Sequence, residues 1–451
     1  MNRFEKGLLT VFFLELFIGG GGRLLEFGPL SIRQVIFLTL IATYVTRIFY
    51  TKSFFNSNVN VFISKKYATY SVYALLFWFV VSSIIGILNQ HSFSIIMMDF
   101  LRVSFLGLYF PLAYYISEER FKLSWVINLL KIATLIIAIF TIGIDVTGRF
   151  ILKDNFNEFY IAINNAFPNE LFFRPSRGVF YKGHFFLLFG LIISTNQWLN
   201  RKQTKLDMIN VVLAIVSIIW SETRGLLIGY MVAIFFIALL DYKVLLTPII
   251  GFFNRLKAMV SKPNRKKLIL YFCILISVPL LYQNMTLSRF NDMPLASNQT
   301  NSTHKKNSKV NDVSINARLY LLQASKDIVL EKPQNMIIGN GYGTKIGDRI
   351  DGIEMSFIDI LVEQGLVGVL LWLNLCLLPF IYYFKVYKKE KRLLYTQISL
   401  LACVVAMVLL TNINPFLNSP IGLGFLLFVI ADAMNSKASF SSKFDKVEGI
   451  K

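Results

Sequence analysis

MINVVLAIVSIIWSETRGLLIGYMVAIFFIALL, residues Met208 to Leu240, decides the fold of this chain. Two apolar runs stand back to back in it, with only Ser221-Glu222-Thr223-Arg224-Gly225 wedged between them. A bilayer core about 30 Å thick is crossed by roughly 20 mostly apolar helical residues, so the stretch reads as two spans joined by almost no loop. Working outward, comparable runs begin near Gly7, Leu30, Ala68, Ile95, Trp125 and His184 before it, and near Leu268, Ser356, Ile398 and Ser419 after it. With the spans near Met208 and Leu226 they predict an all-α integral membrane protein of about 12 helices, ~20 residues each. Val244 to Phe253 is too brief to span alone and reads as interfacial, or as an extension of the preceding helix.

Composition agrees with a lipid solvent. Of the 451 residues, 55% are hydrophobic and 15% aromatic, and the mean hydropathy is +0.57, which does not describe a water-soluble chain. A net charge of +20 would suggest nucleic-acid binding in a soluble protein. Here the cations lie mostly in short loops between apolar runs, where they set topology, so nucleic acid is not an expected partner. Cys273, Cys376 and Cys403 all sit inside apolar segments, which argues against a disulfide framework or a thiolate metal site. Arg3 and Lys6 before Leu8–Ile18 resemble a signal peptide, but Gly19-Gly20-Gly21-Gly22-Arg23 offers no small-x-small cleavage pattern, so the segment reads as a retained first helix.

Orientation follows from the Lys and Arg bias. Arg47, Lys52, Lys65 and Lys66 fall in one loop; Arg201, Lys202 and Lys205 in another; Arg255 to Lys267 and Lys385 to Arg392 in two more, with Lys437 to Lys451 at the end. The intervening short loops Asn89–Ser94 and Asn412–Asn418 carry no Lys or Arg. An even number of crossings with both termini cytoplasmic is the self-consistent topology. It divides the chain into N-terminal transmembrane helices (1–144), a first long outer loop (145–183), central helices (184–282), a large outer loop (283–355), C-terminal helices (356–436) and a cytoplasmic tail (437–451). Within the large loop, Asn298–Asn311 reads as mobile. Ile315–Leu330 reads as an amphipathic helix lying over the membrane surface.

Four outer segments carry residues fit for chemistry. In Thr223-Arg224-Gly225 a guanidinium at headgroup level can hold phosphate oxygens bidentately, and a tight turn at a helix start favours an anion; the plainer reading is a snorkelling arginine. Arg174-Pro175-Ser176-Arg177-Gly178 adds two cations on the same side, or a basic loop touching lipid phosphates. Asn316-Ala317-Arg318 opens the amphipathic helix, and Gly339-Asn340-Gly341-Tyr342-Gly343 follows it. Alternating glycines let backbone approach a ligand closely, but without a strand-helix context they make no dinucleotide site. Glu354 stands just outside the next span, where it can act as a general base. Asp359 and Glu363 lie one turn apart inside that span, where each carboxylate costs about 2.5 to 3.5 kcal/mol on insertion scales, so both need partners such as Arg102 or Arg33, or a wet cavity. Asp99 is expected to pair with Arg102. His91, His184 and His304 are scattered, so no metal site is expected.

In this order, Arg177-Gly178, Thr223-Arg224-Gly225, Arg318, Gly339-x-Gly341-x-Gly343 and Glu363-Gln364-Gly365-Leu366-Val367-Gly368 resemble the O-antigen ligase and O-antigen polymerase superfamily of bacterial membrane proteins. The resemblance covers the C-terminal two-thirds of the chain. It implies a GT-C-like, all-helical glycosyltransferase of the bacterial inner membrane that takes an undecaprenyl-pyrophosphate-linked glycan as donor at the periplasmic face, with no metal or other cofactor. Arg224 and Glu354 would then be catalytic, and Arg174, Arg177, Arg318, Gly341 and Gly343 would contact substrate. Ligases of this superfamily generally have a His-Asn pair where this chain reads Glu354-Met355. That departure favours a polymerase, whose partners would be membrane lipids and a polysaccharide chain-length regulator. The rivals are an O-antigen ligase, a lipid-linked oligosaccharide flippase, and a structural subunit of an export complex. A flippase of this size usually shows two comparable halves, and no such symmetry is visible here.

Overall fold

The computed structural model describes residues 1–22, 26–27, 30–168, 170–174, 177–245, 265–291, 313–350 and 352–448. Its helices are α1 (Arg3–Ile18), α2 (Ile32–Tyr50), α3 (Tyr67–Leu88), α4 (Phe93–Ser104), α5 (Tyr109–Tyr115), α6 (Leu123–Val146), α7 (Phe156–Ala166), α8 (His184–Leu199), α9 (Lys205–Trp220), α10 (Arg224–Asp241), α11 (Arg265–Asn291), α12 (Val313–Glu331), α13 (Pro333–Ile338), α14 (Ser356–Glu390), α15 (Tyr395–Leu410) and α16 (Pro420–Glu448). A helix begins within four residues of each expected start. Asn298–Asn311 and most of Val244–Phe253 lie outside the described residues.

By length and composition, α2, α3, Phe93–Tyr115, Leu123–Ile151, α10 and α14 qualify as membrane spans, and His184–Leu199, Lys267–Gln283, Tyr395–Leu410 and Pro420–Ser436 are shorter apolar helices. The chain is an all-α, multi-pass membrane protein. Helices α1, α8, α9 and α15 are 16 residues each, which is why fewer helices qualify than there are apolar runs. Several starts are written locally: Asn2 with Glu5, Ser31 with Gln34 and Thr204 with Asp207 form capping boxes that satisfy the first N–H groups of α1, α2 and α9.

Two helices form the centre. Every residue of α8 from His184 to Ser194 and of α16 from Ile421 to Met434 is buried. Phenylalanines fill the space between them, with the Phe185 ring stacked 4.3 Å from Phe416 and Phe189 at 4.3 Å from Phe425. Around this core α6 packs on α8 and α9, α10 on α15 and α11, and α14 on α3 and α16. The outer face is apolar too: Phe77, Val80, Ile84, Ile87 and Leu88 of α3 are exposed, as suits helices whose surroundings are acyl chains.

One break in α14 shapes the rest. At Gly365 the backbone takes φ +68° and ψ −171°, so the helix ladder is interrupted and its carbonyls are freed. The glycine run between α13 and α14 closes that gap. Asn340 N–H donates to the Val362 carbonyl at 2.7 Å, Gly341 N–H to Glu363 at 3.0 Å, and the Trp78 indole to Gln364 at 2.9 Å. All three carbonyls are thereby satisfied within an apolar bundle, as membrane-embedded backbone requires. Gly341, at φ +86°, passes so close to Gly86 of α3 that a Cβ would collide with its backbone. A Gly341→Ala variant should lose more than about 2 kcal/mol of stability through strain and this clash. Tryptophan-monitored melting of the detergent-purified protein checks it; an unchanged Tm would mean that the clasp can part freely.

Helix α12 covers this region, as expected for Ile315–Leu330. Its Leu321 and Val329 pack on Ile346, Ile353, Met355 and Val362 in a second, small core, while Leu319, Tyr320, Leu322 and Leu330 face outward. The first long segment holds a feature absent from the sequence reading: an antiparallel hairpin, β1 (Leu171–Phe173) with β2 (Val179–Tyr181), in which Phe172 faces Phe180. Aromatic and β-branched residues flanking Arg174-Pro175-Ser176-Arg177-Gly178 favour such a ribbon.

Candidate active site

The hairpin tip carries Arg174 and Arg177. Arg174 N–H donates to the Gly178 carbonyl at 2.7 Å and Arg177 N–H to the Arg174 carbonyl at 2.8 Å, closing a tight turn with Arg177 at φ +68°. The guanidinium of Arg177 lies 5.1 Å from the Phe156 ring centre of α7, and that of Arg174 lies 6.0 Å from Phe180. The tip rests on the Ser221–Thr223 turn between α9 and α10. A Cβ on Gly178 would collide with the Trp220 carbonyl and stand 3.5 Å from the Glu222 carboxyl carbon, so only glycine lets the two turns meet. The two arginine-glycine motifs, 47 residues apart in sequence, thus meet at this contact. Arg224 opens α10 beside this contact, with its guanidinium 5.9 Å from the Tyr282 ring of α11.

Arg318 and Glu354 meet beside the loop that carries Ile413. The Arg318 guanidinium is 3.3 Å from a Glu354 carboxylate oxygen and 3.4 Å from the Ile413 carbonyl. The Ile413 side chain in turn stands 3.0 Å from where a Cβ of Gly225 would be. The Ile413 loop therefore joins the Arg318–Glu354 pair to the Arg224-Gly225 helix start. Glu354 is 47% exposed, open enough to accept a proton from a molecule outside the bundle.

Gly341 and Gly343 lie elsewhere. Their N–H groups are given to the Glu363 carbonyl of α14 and, at 3.0 Å, to the Asp99 carboxylate of α4, so the glycines tie this loop to both helices. Beneath it Arg102 of α4 gathers three carboxylates, with Asp99 at 3.2 Å, Asp359 at 3.4 Å and Glu363 at 3.5 Å. The pairing of Asp99 with Arg102 is as expected, whereas Arg33 takes no part and instead bonds Glu15 at 2.9 Å. Asp359 also accepts from Ile353 N–H at 3.1 Å and from the Asn418 amide at 2.7 Å. It thus grips the residue preceding Glu354 and the loop that carries Ile413, the two walls of the Arg318–Glu354 pair. The Tyr342 hydroxyl is buried with no hydrogen-bond partner among the described residues, and burial beside Glu363 pushes it well above the usual phenol range.

Of the residues singled out from sequence, Arg174 and Arg177 sit on a hairpin whose Gly178 meets the turn before Arg224, Arg318 and Glu354 pair beside the Ile413 loop that reaches Gly225, and Gly341 and Gly343 pack against α3, α4 and α14. Sequence reasoning missed Asn418 and Arg149. Asn418 gives no local signal. Arg149 could have been noticed, because Asp145 and Arg149 form an i, i+4 pair at the end of an apolar run.

Fold and site together define a polytopic, all-α membrane protein in which an arginine-bearing hairpin meets the turn before Arg224 and Arg318 pairs with Glu354. No family model matches the chain. It is 25% identical over 433 residues to the O-antigen polymerase of Shigella flexneri, a match covering 95% of this chain and 94% of the relative. This likeness, running through both chains, supports the O-antigen polymerase and ligase type of family that the motifs resemble.

Proposed function

We propose that the protein polymerises undecaprenyl-pyrophosphate-linked oligosaccharide repeat units into a surface polysaccharide such as O-antigen, at the periplasmic face of the bacterial inner membrane. The observation that supports this reading is a chain of contacts between three separate cationic motifs: the Arg174–Arg177 hairpin meets the turn before Arg224 at Gly178, and Gly225 meets, through Ile413, the pair of Arg318 with the half-exposed Glu354. In the reaction Glu354 takes the proton of an acceptor sugar hydroxyl. The resulting oxygen attacks the anomeric carbon of the donor, the bond from that carbon to the pyrophosphate oxygen breaks, and the lipid pyrophosphate leaves. Arg224, Arg174, Arg177 and Arg318 neutralise the charge that develops on it. In this topology both termini are cytoplasmic, and 145–183 and 283–355 are the periplasmic loops. A chain-length regulator is the expected protein partner.

Deleting the gene and separating the surface polysaccharide on a gel tests the function. Single repeat units capped on the lipid core bear out a polymerase. Long lipid-linked chains never transferred to lipid A core would instead identify a ligase, and the absence of all surface glycan a flippase. Within a polymerase, Glu354→Gln keeps the size of the side chain and removes its basicity, so turnover should fall by roughly 10²- to 10⁴-fold. Near-normal turnover of purified Glu354→Gln on lipid-linked repeat units would move the base elsewhere.

A further inference from the structure

The helix α6 does not end at Val146 but runs on into a π-helical turn, Thr147–Ile151, an irregularity that is frequent at functional sites. Its Arg149 reaches across the seam between the hairpin and the Ser221–Thr223 turn. Arg149 donates to the Trp220 carbonyl at 3.2 Å, stands 3.6 Å from a Glu222 carboxylate oxygen and 3.6 Å from Asp145, and lies 5.9 Å from the Trp220 ring. A Cβ on Gly178 would come within 3.0 Å of it. Asp145 completes the seam from the hairpin side, since its carboxylate accepts from Val179 N–H at 3.2 Å. Glu222 holds a left-handed backbone, φ +52°, at the contact. The second carboxylate oxygens of Asp145 and Glu222 are buried and have no hydrogen-bond partner among the described residues, and Arg149 is a cation that both carboxylates share.

We infer that Arg149, bracketed by Asp145 and Glu222, is a positioning residue that fixes the Arg174–Arg177 hairpin against the Arg224 helix start, so that cations from two distant motifs face one pyrophosphate. This rests on the proposed polymerase reading. Arg149 donates to the Trp220 carbonyl and stands as a counter-ion 3.6 Å from each of two carboxylates, so it acts through the neighbouring arginines and does not itself meet the substrate. A lysine at 149 keeps the charge but lacks the fixed planar fork that bonds Trp220 while facing both carboxylates.

The test uses the full-length protein in detergent, lipid-linked repeat units as substrate, and the variants Arg149→Ala, Arg149→Lys, Glu222→Gln, Arg224→Ala and the Arg149→Ala/Arg224→Ala double. A displacement of the cations by about 1 Å should lower kcat by roughly 100-fold in Arg149→Ala, with Arg149→Lys between it and wild type. KM for the donor should change far less than kcat. The double variant should lose less than the product of the two single losses, because Arg149 works through Arg224 and its neighbours. Melting temperature is recorded for each. Full activity in Arg149→Ala or Glu222→Gln overturns the inference, as do losses that multiply in the double variant or that track a lowered melting temperature while kcat per folded molecule stays normal. Failure of the polymerase reading looks different: the wild-type protein itself would then fail to join lipid-linked repeat units.

Discussion

Replacing Arg224 by alanine is expected to abolish the long-chain polysaccharide ladder while leaving the protein in the membrane at its normal level. A charge-stabilising donor aimed at a leaving group typically contributes 10²- to 10³-fold in rate, and here the loss comes at the start of α10, where the helix N-terminus adds its own attraction for an anion. Arg224→Lys should recover only part of it, because an ammonium cannot grip two phosphate oxygens with the geometry of the fork. The side chain lies over the Tyr282 ring at a helix start, away from the apolar centre formed by α8 and α16, so folding should be spared. The measurement is the ladder on a gel beside a membrane immunoblot. A normal ladder from Arg224→Ala would end its assignment to catalysis.

The second large effect is on folding. Arg102→Ala leaves Asp99, Asp359 and Glu363 without their common cation in the interior of the bundle. Breaking a buried charge cluster by removing one partner typically costs 3 to 5 kcal/mol, because the remaining charges are neither solvated nor paired. The expected outcome is loss of folded protein, read as low recovery from membranes and an early, broad melting transition. Arg102→Lys should recover part of the stability by supplying one charge. Since Asp359 also holds Ile353 and Asn418, any Arg102→Ala protein that does fold should display poor turnover as well. Normal recovery and melting of Arg102→Ala would show that the three carboxylates are satisfied without it.

These two residues illustrate what the sequence conveyed. The helices were legible because an apolar run long enough to cross a bilayer has few other destinations, and their starts fell where local caps such as Thr204 with Asp207 could be formed. Arg177, Arg224 and Arg318 were legible as cations out of place at helix ends or loop tips. Their mutual arrangement was not, because the contact that joins two of the motifs depends on the absence of a side chain at Gly178, and the contact that brings in the third runs through the backbone of Ile413. Neither leaves a chemical signature in the residue names. The glycine run reads differently in the fold: Gly341 approaches the backbones of α3 and α14, and Gly343 approaches Ile96 and Asp99 of α4, all within the chain itself. Asp359 and Glu363 were recognised as carboxylates in need of a cation, and Arg102 was among the named candidates. Arg33 was equally plausible by composition and was excluded only by its commitment to Glu15.

The interruption of α14 at Gly365 also bears on how the protein is made. A helix with unsatisfied carbonyls is a poor passenger in a bilayer, yet every group that answers them, Trp78 and the amides of Asn340 and Gly341, is encoded upstream of the break. As the ribosome delivers residues 356 onward, the answering groups already exist and can engage at once. The order of synthesis thus spares this segment a spell of exposed backbone, and a circular permutant that moved residues 339–343 behind α14 would have to insert it unprotected.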